Sequence, residues 1–594
     1  MERINIIVNC GTFKIKIQTG IIIIMTKNRI FKGFLLATIV ISIVSCGGKR
    51  SSGTSTLTGW SFNDFDGGAG NNYKGQPTPP GMVLIEGGTF TMGHVQDDVM
   101  ADWNTTPVKM QVRSFYMDEA EVTNREYRLF LEWMEKVYPP DNDNYRNIYS
   151  SVLPDTLVWR NTLGDAELLT ETYLRHPAYN DYPVVGISWV QANEYCKWRT
   201  NMVNEKILMD KGILNPLFET DSLTVEGKNH FDTDVYLADP TRLFDGDSTI
   251  YKKGFPDLTK KKKRRGRRTR GEKRTRRSRR GSKGAFTGRH AKVADGILTQ
   301  KFRLPTESEW EYAAKALIEN REYNNLRGRK KFSWNGRYTR SNQKRFRGDE
   351  MANFKLGKGN YSGLAGWSDD GADITIAVRS YKANAYGLYD MTGNVAEWVA
   401  DVYRPIIDND ANDFNYYRGN SYSKKHIDEN GKVVVIDENS IIYDTLDNGL
   451  IKAKNLPGSL KYIPITKSDA FMRDNYEKSY NVNSQDGDIS STRKYYIDEE
   501  ELESKPRMYN HPVIPNEIGE SGYRKQGYDK KLRTTLISDK TRVIKGGSWN
   551  DRAYWLDPAQ RRYLPEYMAT NYVGFRCATD RLGPMSDKKR KAHN

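Results

Sequence analysis

Three segments of this chain begin with Ser or Thr, carry Glu or Gln three residues later, and continue with an apolar pattern of helical period. They are TNREYRLFLEW from Thr123, SWVQANEYCKWR from Ser188 and TESEWEYAAKA from Thr306. In such a capping box the two side chains satisfy backbone N–H groups that a helix start would otherwise leave unpaired. The sequence therefore predicts three helices with well-defined N-termini.

Short strand-like runs lie near the first of these helices. MVLIEGGTFTMG, from Met82, indicates two short strands about Gly87 and Gly88, and FYMDEAEV, from Phe115, is a third candidate. The chain has 594 residues, of which 37% are hydrophobic and 28% charged, so it can bury a large core but also contains much polar loop. We predict an α+β core in which long irregular connections join short strands and a few helices.

The N-terminal region carries a secretion pattern that begins at Met25. In MTKNRIFKGFLLATIVISIVSC, three basic residues precede an apolar run from Phe34 to Val44, and Cys46 follows. This order is typical of a signal peptide, and the run is too short to span a bilayer. IVSC resembles the lipobox at which bacterial lipoproteins are cleaved and acylated, so we expect a lipid on Cys46. A short internal membrane segment is the alternative.

These signals divide the first part of the chain into three regions. Residues 1–24 do not fit ahead of a signal peptide and are interpreted as a misassigned extension. Residues 25–45 are the predicted lipoprotein signal peptide. Residues 46–81 are rich in Gly, Ser, Thr, Asn and Pro, a composition that favours a flexible tether.

Four cysteines are present, and the preceding assignments account for two of them. Cys10 lies in the extension and Cys46 is the acylation site, which leaves Cys196 and Cys577 in the mature chain. Outside the cytoplasm two cysteines indicate one disulfide. Two buried free thiols are the alternative reading.

The formal net charge of +17 has a local origin. From Lys260 to Lys283 there are sixteen basic residues and only one acid, Glu272, so the rest of the chain has a net charge of +2. The secretion signal argues against nucleic acid as a partner. Anionic envelope lipids, an acidic protein surface, the acidic run from Ile497, or no partner at all remain open. The candidate contact residues are Lys260, Lys261, Lys262, Lys263, Arg264, Arg265, Arg267 and Arg268.

Seven blocks occur in one order along the chain. They are MVLIEGGTFTMG, DEAEVTNREYRLFL, YPVVGISWVQANEYCKW, FRLPTESEWEYAAKA, ANAYGLYDMTGNVAEW, KGGSWNDRA and GFRCATDRL. Together they resemble the formylglycine-generating enzyme (sulfatase-modifying factor) domain family. The resemblance implies an α+β fold, C-type-lectin-like and low in regular secondary structure.

The blocks also set the expected domain boundaries. They place the domain at residues 82–582, with large polar insertions at 201–300 and 405–540, and leave a basic tail at 583–594. Neither insertion shows a repeat or a sustained amphipathic period. We expect both to be excursions that face a partner.

The family's chemistry depends on two cysteines after the GGSW block, which bind copper(I). Thiolates are the soft ligands that copper(I) prefers. The matching positions here are Asp551 and Leu556, so the resemblance implies a pseudoenzyme with no catalytic residues. It also implies that Cys577 pairs with Cys196. The seven histidines lack metal-ligand spacing, and no GxSxG or phosphate-loop motif is present.

The family also holds structural Ca²⁺ through carboxylate and carbonyl oxygens, which are hard ligands. Loop carboxylates that accept bonds from backbone N–H groups are the alternative for each position. The matching positions are Asn353, Phe354, Asp370 and Ala372 for one site, and Asp390, Gly393, Val395 and Glu397 for another.

A lipid anchor, silent cysteine positions and large insertions together resemble the gliding-motility lipoproteins of Bacteroidetes. That resemblance implies an outer-membrane protein facing the periplasm, a structural role in gliding and type IX secretion, and the ring components GldK and GldN as partners. Two other classes stay open. One is a superfamily oxidase or hydroxylase acting on a peptide or small substrate, and the other is an anion- or glycan-binding envelope module.

Overall fold

The computed structural model describes the chain in segments between residues 76 and 583. The chain divides into two units, Met1–Asn72 and Tyr73–Asn594, and every described residue belongs to the second. The described residues are 76–93, 105, 107–160, 166–215, 225–252, 290–293, 296–317, 330–336, 338–356, 372–403, 423–446, 448–464 and 540–583.

Several sequence predictions concern residues outside these ranges. They are the extension, the signal peptide with Cys46, most of the tether, the candidate calcium ligand Asp370, the basic run from Lys260 to Lys283 and nearly all of the basic tail.

The three predicted helices are confirmed. Ser188 and Thr306 each form the full reciprocal capping box, with Gln191 and Glu309 respectively. At Thr123 only half of the box forms, because the hydroxyl accepts from the Glu126 N–H without a bond in return. The α-helices of the described residues are α1 Asn124–Val137, α2 Arg146–Val152, α3 Glu167–Thr172, α4 Trp189–Asp210, α5 Thr233–Ala238 and α6 Glu307–Lys315.

The strands are short, as the sequence predicts, and they include the two runs about Gly87 and Gly88. Mixed helix and strand content confirms the α+β class. The strands are β1 Met82–Ile85, β2 Gly88–Met92, β3 Val108–Val112, β4 Phe115–Asp118, β5 Phe302–Arg303, β6 Ala396–Val402, β7 Ser423–Lys425, β8 Tyr443–Thr445, β9 Ile451–Ala453, β10 Tyr462–Pro464, β11 Thr541–Lys545, β12 Arg562–Pro565, β13 Val573–Gly574 and β14 Ala578–Asp580.

Two four-stranded sheets organise these strands. The first has the order β1-β4-β14-β5 and is antiparallel, with Met117 of β4 opposite both Val83 of β1 and Ala578 of β14. The second has the order β12-β11-β6-β13, and only the β6–β13 pair is parallel. The first sheet joins strands from both ends of the described chain, and the second joins β6 to three strands that lie near the C-terminus.

The described residues also form three two-stranded sheets, β2 with β3, β7 with β10, and β8 with β9. The last two pairs lie within the predicted insertion 405–540. The described parts of both insertions also contribute to the main apolar core, through Leu208, Ile250, Ala453 and Leu460 among others. Burial of these apolar side chains holds the described parts of both insertions against the core. Their expected role in facing a partner stays a prediction.

Helix α4 crosses the point where the sequence places the start of the first insertion. It continues to Asp210 without a break, so that insertion leaves the core from a helix. Within the described ranges, none of the helices has the length and apolar character that a membrane crossing requires.

Candidate functional site

The loop after β11 holds the positions that match the family's copper-binding cysteines. It begins with Gly546 and Gly547, whose φ angles are +99° and +68°. A Cβ on Gly547 would lie 2.8 Å from the Trp555 carbonyl oxygen, and one on Gly546 would lie 3.0 Å from the Trp310 ring. Only glycine fits both positions, and this tight turn directs the chain into the segment that contains Asp551.

Asp551 is held by two neighbours. Arg562 on β12 donates from Nη1 to Oδ1 and from Nη2 to Oδ2, each at 2.6 Å. Ser548 donates its hydroxyl to Oδ2 at 2.5 Å. The fork of the guanidinium matches the carboxylate, and such bidentate pairs are among the strongest side-chain interactions. The aspartate therefore fixes the loop to β12.

Leu556 occupies the second cysteine position, at the end of a 3-10 turn at Ala553–Leu556. Its side chain is fully buried and packs with Phe332, Ala352 and Phe354. An aliphatic side chain in an apolar cluster can neither bind a metal nor transfer a proton. Both positions are thus structural in this molecule.

The two described cysteines lie together at another place in the fold. Cys196 on α4 and Cys577, just before β14, are both buried, and their sulfur atoms are 3.4 Å apart. A disulfide bond is about 2.05 Å long, so no bond joins the two sulfur atoms in this structure. Burial raises the pKa of the Cys196 thiol, and the Cys577 thiol beside it raises that pKa further. The fold thus places next to each other the two cysteines that the sequence analysis pairs, and the disulfide bond itself stays a prediction.

The first candidate calcium set is only partly described. Asn353 donates from Nδ2 to the Ile374 carbonyl at 2.7 Å, and its own carbonyl accepts from the Asn394 N–H at 2.9 Å. Phe354 packs in the apolar cluster around Leu556, and Ala372 is buried. Asp370, the one carboxylate of the set, lies outside the described residues.

The second candidate set surrounds a buried arginine. Glu397 receives two bonds from Arg576, Nε to Oε2 at 2.7 Å and Nη2 to Oε1 at 2.6 Å, and a third from Trp310 Nε1 at 2.8 Å. Both residues of this ion pair are almost completely buried. Glu397 is therefore not available to a cation unless Arg576 moves.

Asp390 is the member of this set that could accept a cation. Its Oδ2 accepts from the Arg379 N–H at 2.7 Å, whereas Oδ1 is buried without a hydrogen-bond donor. Burial raises the pKa of Asp390 to about 6. Glu121 adds a third carboxyl beside Asp390 and Glu397, and burial, followed by the charge of Asp390, raises its pKa.

The donor set thus fits Ca²⁺ in part. Asp390 has an unused oxygen, and the backbone carbonyls of Gly393 and Val395 belong to the predicted set, but Glu397 is neutralised by Arg576. Among the described residues, no group of three or more His, Cys, Asp or Glu side chains is arranged to hold a metal ion.

The sequence interpretation missed Arg562 and Arg576, the two cations that decide what these carboxylates do. Arg576 stands within GFRC and Arg562 within QRRY, eleven residues after Asp551. No local spacing rule links either arginine to its partner, because the contacts arise from strand packing. For Arg576 the sequence offers one signal, an arginine within the otherwise mostly apolar segment YVGFRCA.

Residues 70–435, more than half of the chain, match the family described as the sulfatase-modifying factor enzyme 1-like domain. The formylglycine-generating enzyme of Bos taurus is 21% identical over 348 residues, which cover 55% of this chain and 59% of that protein. The inactive C-alpha-formylglycine-generating enzyme 2 of Mus musculus is 31% identical over 121 residues, or 20% of this chain and 31% of that protein.

The chain covers less than two thirds of the length of these curated relatives. The solved structure of PvdO from Pseudomonas aeruginosa aligns with a TM-score of 0.33 at 13% identity, over 84% of this chain and 94% of that one.

Proposed function

The chain belongs to the family of the sulfatase-modifying factor enzyme 1-like domain, and from this premise we propose that it is a member without formylglycine-generating activity. The observation that carries the proposal is the state of the two cysteine positions. Asp551 is neutralised by Arg562, and Leu556 is buried among apolar side chains. Copper(I) chemistry in this family needs two thiolates, and the loop supplies none.

A direct assay tests the proposal. The purified protein would be incubated with copper and a cysteine peptide derived from a sulfatase, and the peptide analysed by mass spectrometry. We expect no conversion above the protein-free background, with an active formylglycine-generating enzyme as the positive control. Copper-dependent conversion by this chain would show that it is an enzyme.

We further propose that the protein is an outer-membrane lipoprotein facing the periplasm and a structural component of the gliding and type IX secretion machinery. The support lies in the sequence: the lipobox at Cys46, the absence of an acidic cluster after it, and the large insertions. The segments TGWSFNDFDGG and VQDDVMADWN, on either side of the first strands, favour a resemblance to GldJ over GldK (PorK). GldK and GldN are the proposed partners.

A pull-down from detergent-solubilised envelopes tests this role. We expect GldK and GldN to co-purify with the full chain. A matched variant in which Lys260–Lys263 and the basic residues from Arg264 to Arg280 are replaced by Ser and Gly tests the basic run. If that run binds an anionic partner surface, the variant recovers less partner and the wild-type association weakens steeply with salt. Retention of neither ring component by the wild-type protein would contradict the proposed role.

A further inference from the structure

A cavity of about 460 Å³ lies where the second insertion packs against the helices of the core. Helices α1, α2 and α4 and the segment from β9 to β10 form most of the lining, and residues 230–234 and 301–302 complete it. The floor is apolar and includes Phe130, Met134, Ile148, Val152, Leu456 and Leu460. Trp133, half-buried on α1, forms part of the wall. Residues 452–462 of the second insertion form part of the cavity lining, whereas the loop that contains Asp551 and Leu556 does not line it.

A cluster of three charged side chains lies in the same wall. Lys197, one turn along α4 from Glu194, and Lys452, on β9, both place Nζ 2.9 Å from the same oxygen, Glu194 Oε1. Burial works to raise the pKa of Glu194, but the two ammonium groups overcome it and lower that pKa to about 2. One carboxylate thus pairs with two ammonium groups, so this cluster of three side chains has a net charge of +1.

The other charges of the cavity do not cancel that surplus. Asp234 is paired with Lys301 at 2.6 Å and accepts from the Tyr462 hydroxyl. Burial lowers the pKa of His230, which favours its neutral form. The described lining holds four lysines against three carboxyl groups: Lys197, Lys301, Lys452 and Lys454 against Glu194, Asp232 and Asp234.

Trp198 also lines the cavity. It lies next to Lys197 on α4 and is only 8% exposed, so its ring adds apolar surface to the wall beside the charged cluster.

We propose that this cavity binds a small organic carboxylate that carries an apolar group. The carboxylate lies against Lys197 and Lys452, where it supplies the missing negative charge, and the apolar group enters the floor between Met134 and Leu456. An apolar molecule without a charge would leave the ammonium groups partly desolvated, and an organic cation would meet surplus positive charge. A dianion such as phosphate would exceed the single surplus charge and leave the apolar floor unfilled.

The test uses the full chain and two probes that differ only in charge. N-acetyl-L-phenylalanine is the carboxylate probe, and N-acetyl-L-phenylalaninamide is its neutral counterpart. Binding would be measured by saturation-transfer NMR and titration calorimetry. We expect the acid to bind and the amide to bind about tenfold more weakly or not at all, the loss typical of one charge-assisted hydrogen bond. Absence of acid binding, or equal binding of the two probes, overturns the proposal.

Lys452→Gln supplies the decisive variant. It removes the surplus charge but leaves Glu194 paired with Lys197, so the carboxylate keeps a cationic partner. We expect the acid to bind about tenfold more weakly to this variant. Lys228→Gln is the matched control, since Lys228 is also paired with two carboxylates, Asp245 and Asp437, but does not line this cavity. Equal loss in both variants, or no loss in Lys452→Gln, contradicts the assignment of the site.

A third probe distinguishes the two sources of such a carboxylate. The peptide acetyl-Ser-Glu-Phe-Glu-Ser-amide carries the same phenyl group beside side-chain carboxylates and has no free terminus. If it binds more tightly than the free acid and also depends on Lys452, the carboxylate belongs to a protein segment. If only the free acid binds, the ligand is a small molecule. The proposed carboxylate site does not depend on the proposed absence of formylglycine-generating activity. An experiment can therefore contradict one of these two proposals without affecting the other.

Discussion

Arg562 holds Asp551 through two parallel hydrogen bonds, each 2.6 Å long. The pair joins the loop after β11 to β12, and the guanidinium carbon also lies 4.9 Å from the centre of the Trp555 ring. A position that the sequence resemblance matches to a copper-binding cysteine here connects a loop to a strand. This contact has direct consequences for stability.

We predict that Arg562→Met destabilises the protein by about 1.5–3 kcal/mol, the range for a hydrogen-bonded charged group that loses its partner. Both side chains are less than one fifth exposed, so solvent screens the pair only weakly. Methionine keeps most of the side-chain length, and the loss therefore reports the ion pair. Thermal unfolding followed by circular dichroism measures it.

Arg160→Met is the control for that measurement. Arg160 and Glu167 also form a bidentate pair, but both side chains are more than half exposed. Exposed pairs contribute little to stability, so we expect no measurable change. Similar unfolding temperatures for wild type and Arg562→Met would mean that Asp551 does not depend on its arginine.

Stability should depend on pH through Glu205 on α4. Its side chain is 3% exposed, Oε1 has no hydrogen-bond partner, and burial raises its pKa to about 7. The folded state therefore keeps a proton that the unfolded chain releases above its ordinary pKa of 4.5. The stabilisation from this group is fully present below about pH 4.5 and is lost as the pH rises through about 7.

Glu205→Gln should remove this dependence. At pH 8 we expect the variant to be more stable than the wild type by on the order of 3 kcal/mol, and at pH 4 to be similar to it. Urea unfolding at the two pH values measures the difference, with Glu132→Gln, at an exposed position of α1, as the control. A difference that is the same at both pH values would show that Glu205 is charged in the folded protein.

The Cys196–Cys577 disulfide stays a prediction that intact mass decides. The sulfur atoms are 3.4 Å apart and buried, so a bond needs only a small adjustment. We expect protein isolated without reductant to be lighter by two hydrogen atoms than protein treated with reductant. Equal masses, with two thiols labelled after unfolding in both samples, would show that the pair stays reduced.

Calcium at the second candidate set is testable through Asp390. Its Oδ1 has no donor, and two more carboxyl groups, Glu121 and Glu397, share its surroundings. We expect Ca²⁺ to raise the unfolding temperature relative to a sample in EDTA, and Asp390→Asn to reduce that rise. Equal unfolding temperatures in Ca²⁺ and EDTA would mean that Arg576 alone neutralises this group of acids.

The anchor is tested by Cys46→Ser. We expect the substitution to abolish labelling with a fatty-acid analogue and to release the protein from the membrane fraction, because acylation of this cysteine is the proposed attachment. The matched control is Cys196→Ser, which changes a buried cysteine far along the chain. Unchanged labelling of Cys46→Ser would contradict the lipobox interpretation.

Much of the local structure could be predicted from the sequence. The helix starts at Ser188 and Thr306 follow from bonds between residues three positions apart, so the chain encodes them in a short window. The strands about Gly87 and Gly88 and the α+β class follow from the same kind of local pattern. The sequence also predicts, from Asp551 and Leu556 alone, that both copper-binding cysteines are replaced.

The roles of the buried and partly buried carboxylates could not be predicted from local sequence patterns. Asp551 as a loop residue is compatible with a base, a ligand or a surface charge, and only the packing of β12 places Arg562 against it. The role of Glu397 could not be predicted either, because its partner Arg576 lies 179 residues further along the chain. The pairing energy of such groups depends on burial and distance, which no local pattern contains.

The sequence by itself determined where the helices at Ser188 and Thr306 begin, the mixed helix and strand class, and the residue types at positions 551 and 556. Tertiary structure alone decided which carboxylates are neutralised, which thiols meet, and that the second insertion closes a cavity against α1, α2 and α4. The physical reason is the separation along the chain between the residues that interact. Capping and strand patterns act between near neighbours, whereas Lys452 meets Glu194 only because apolar surfaces far apart in the chain are buried together.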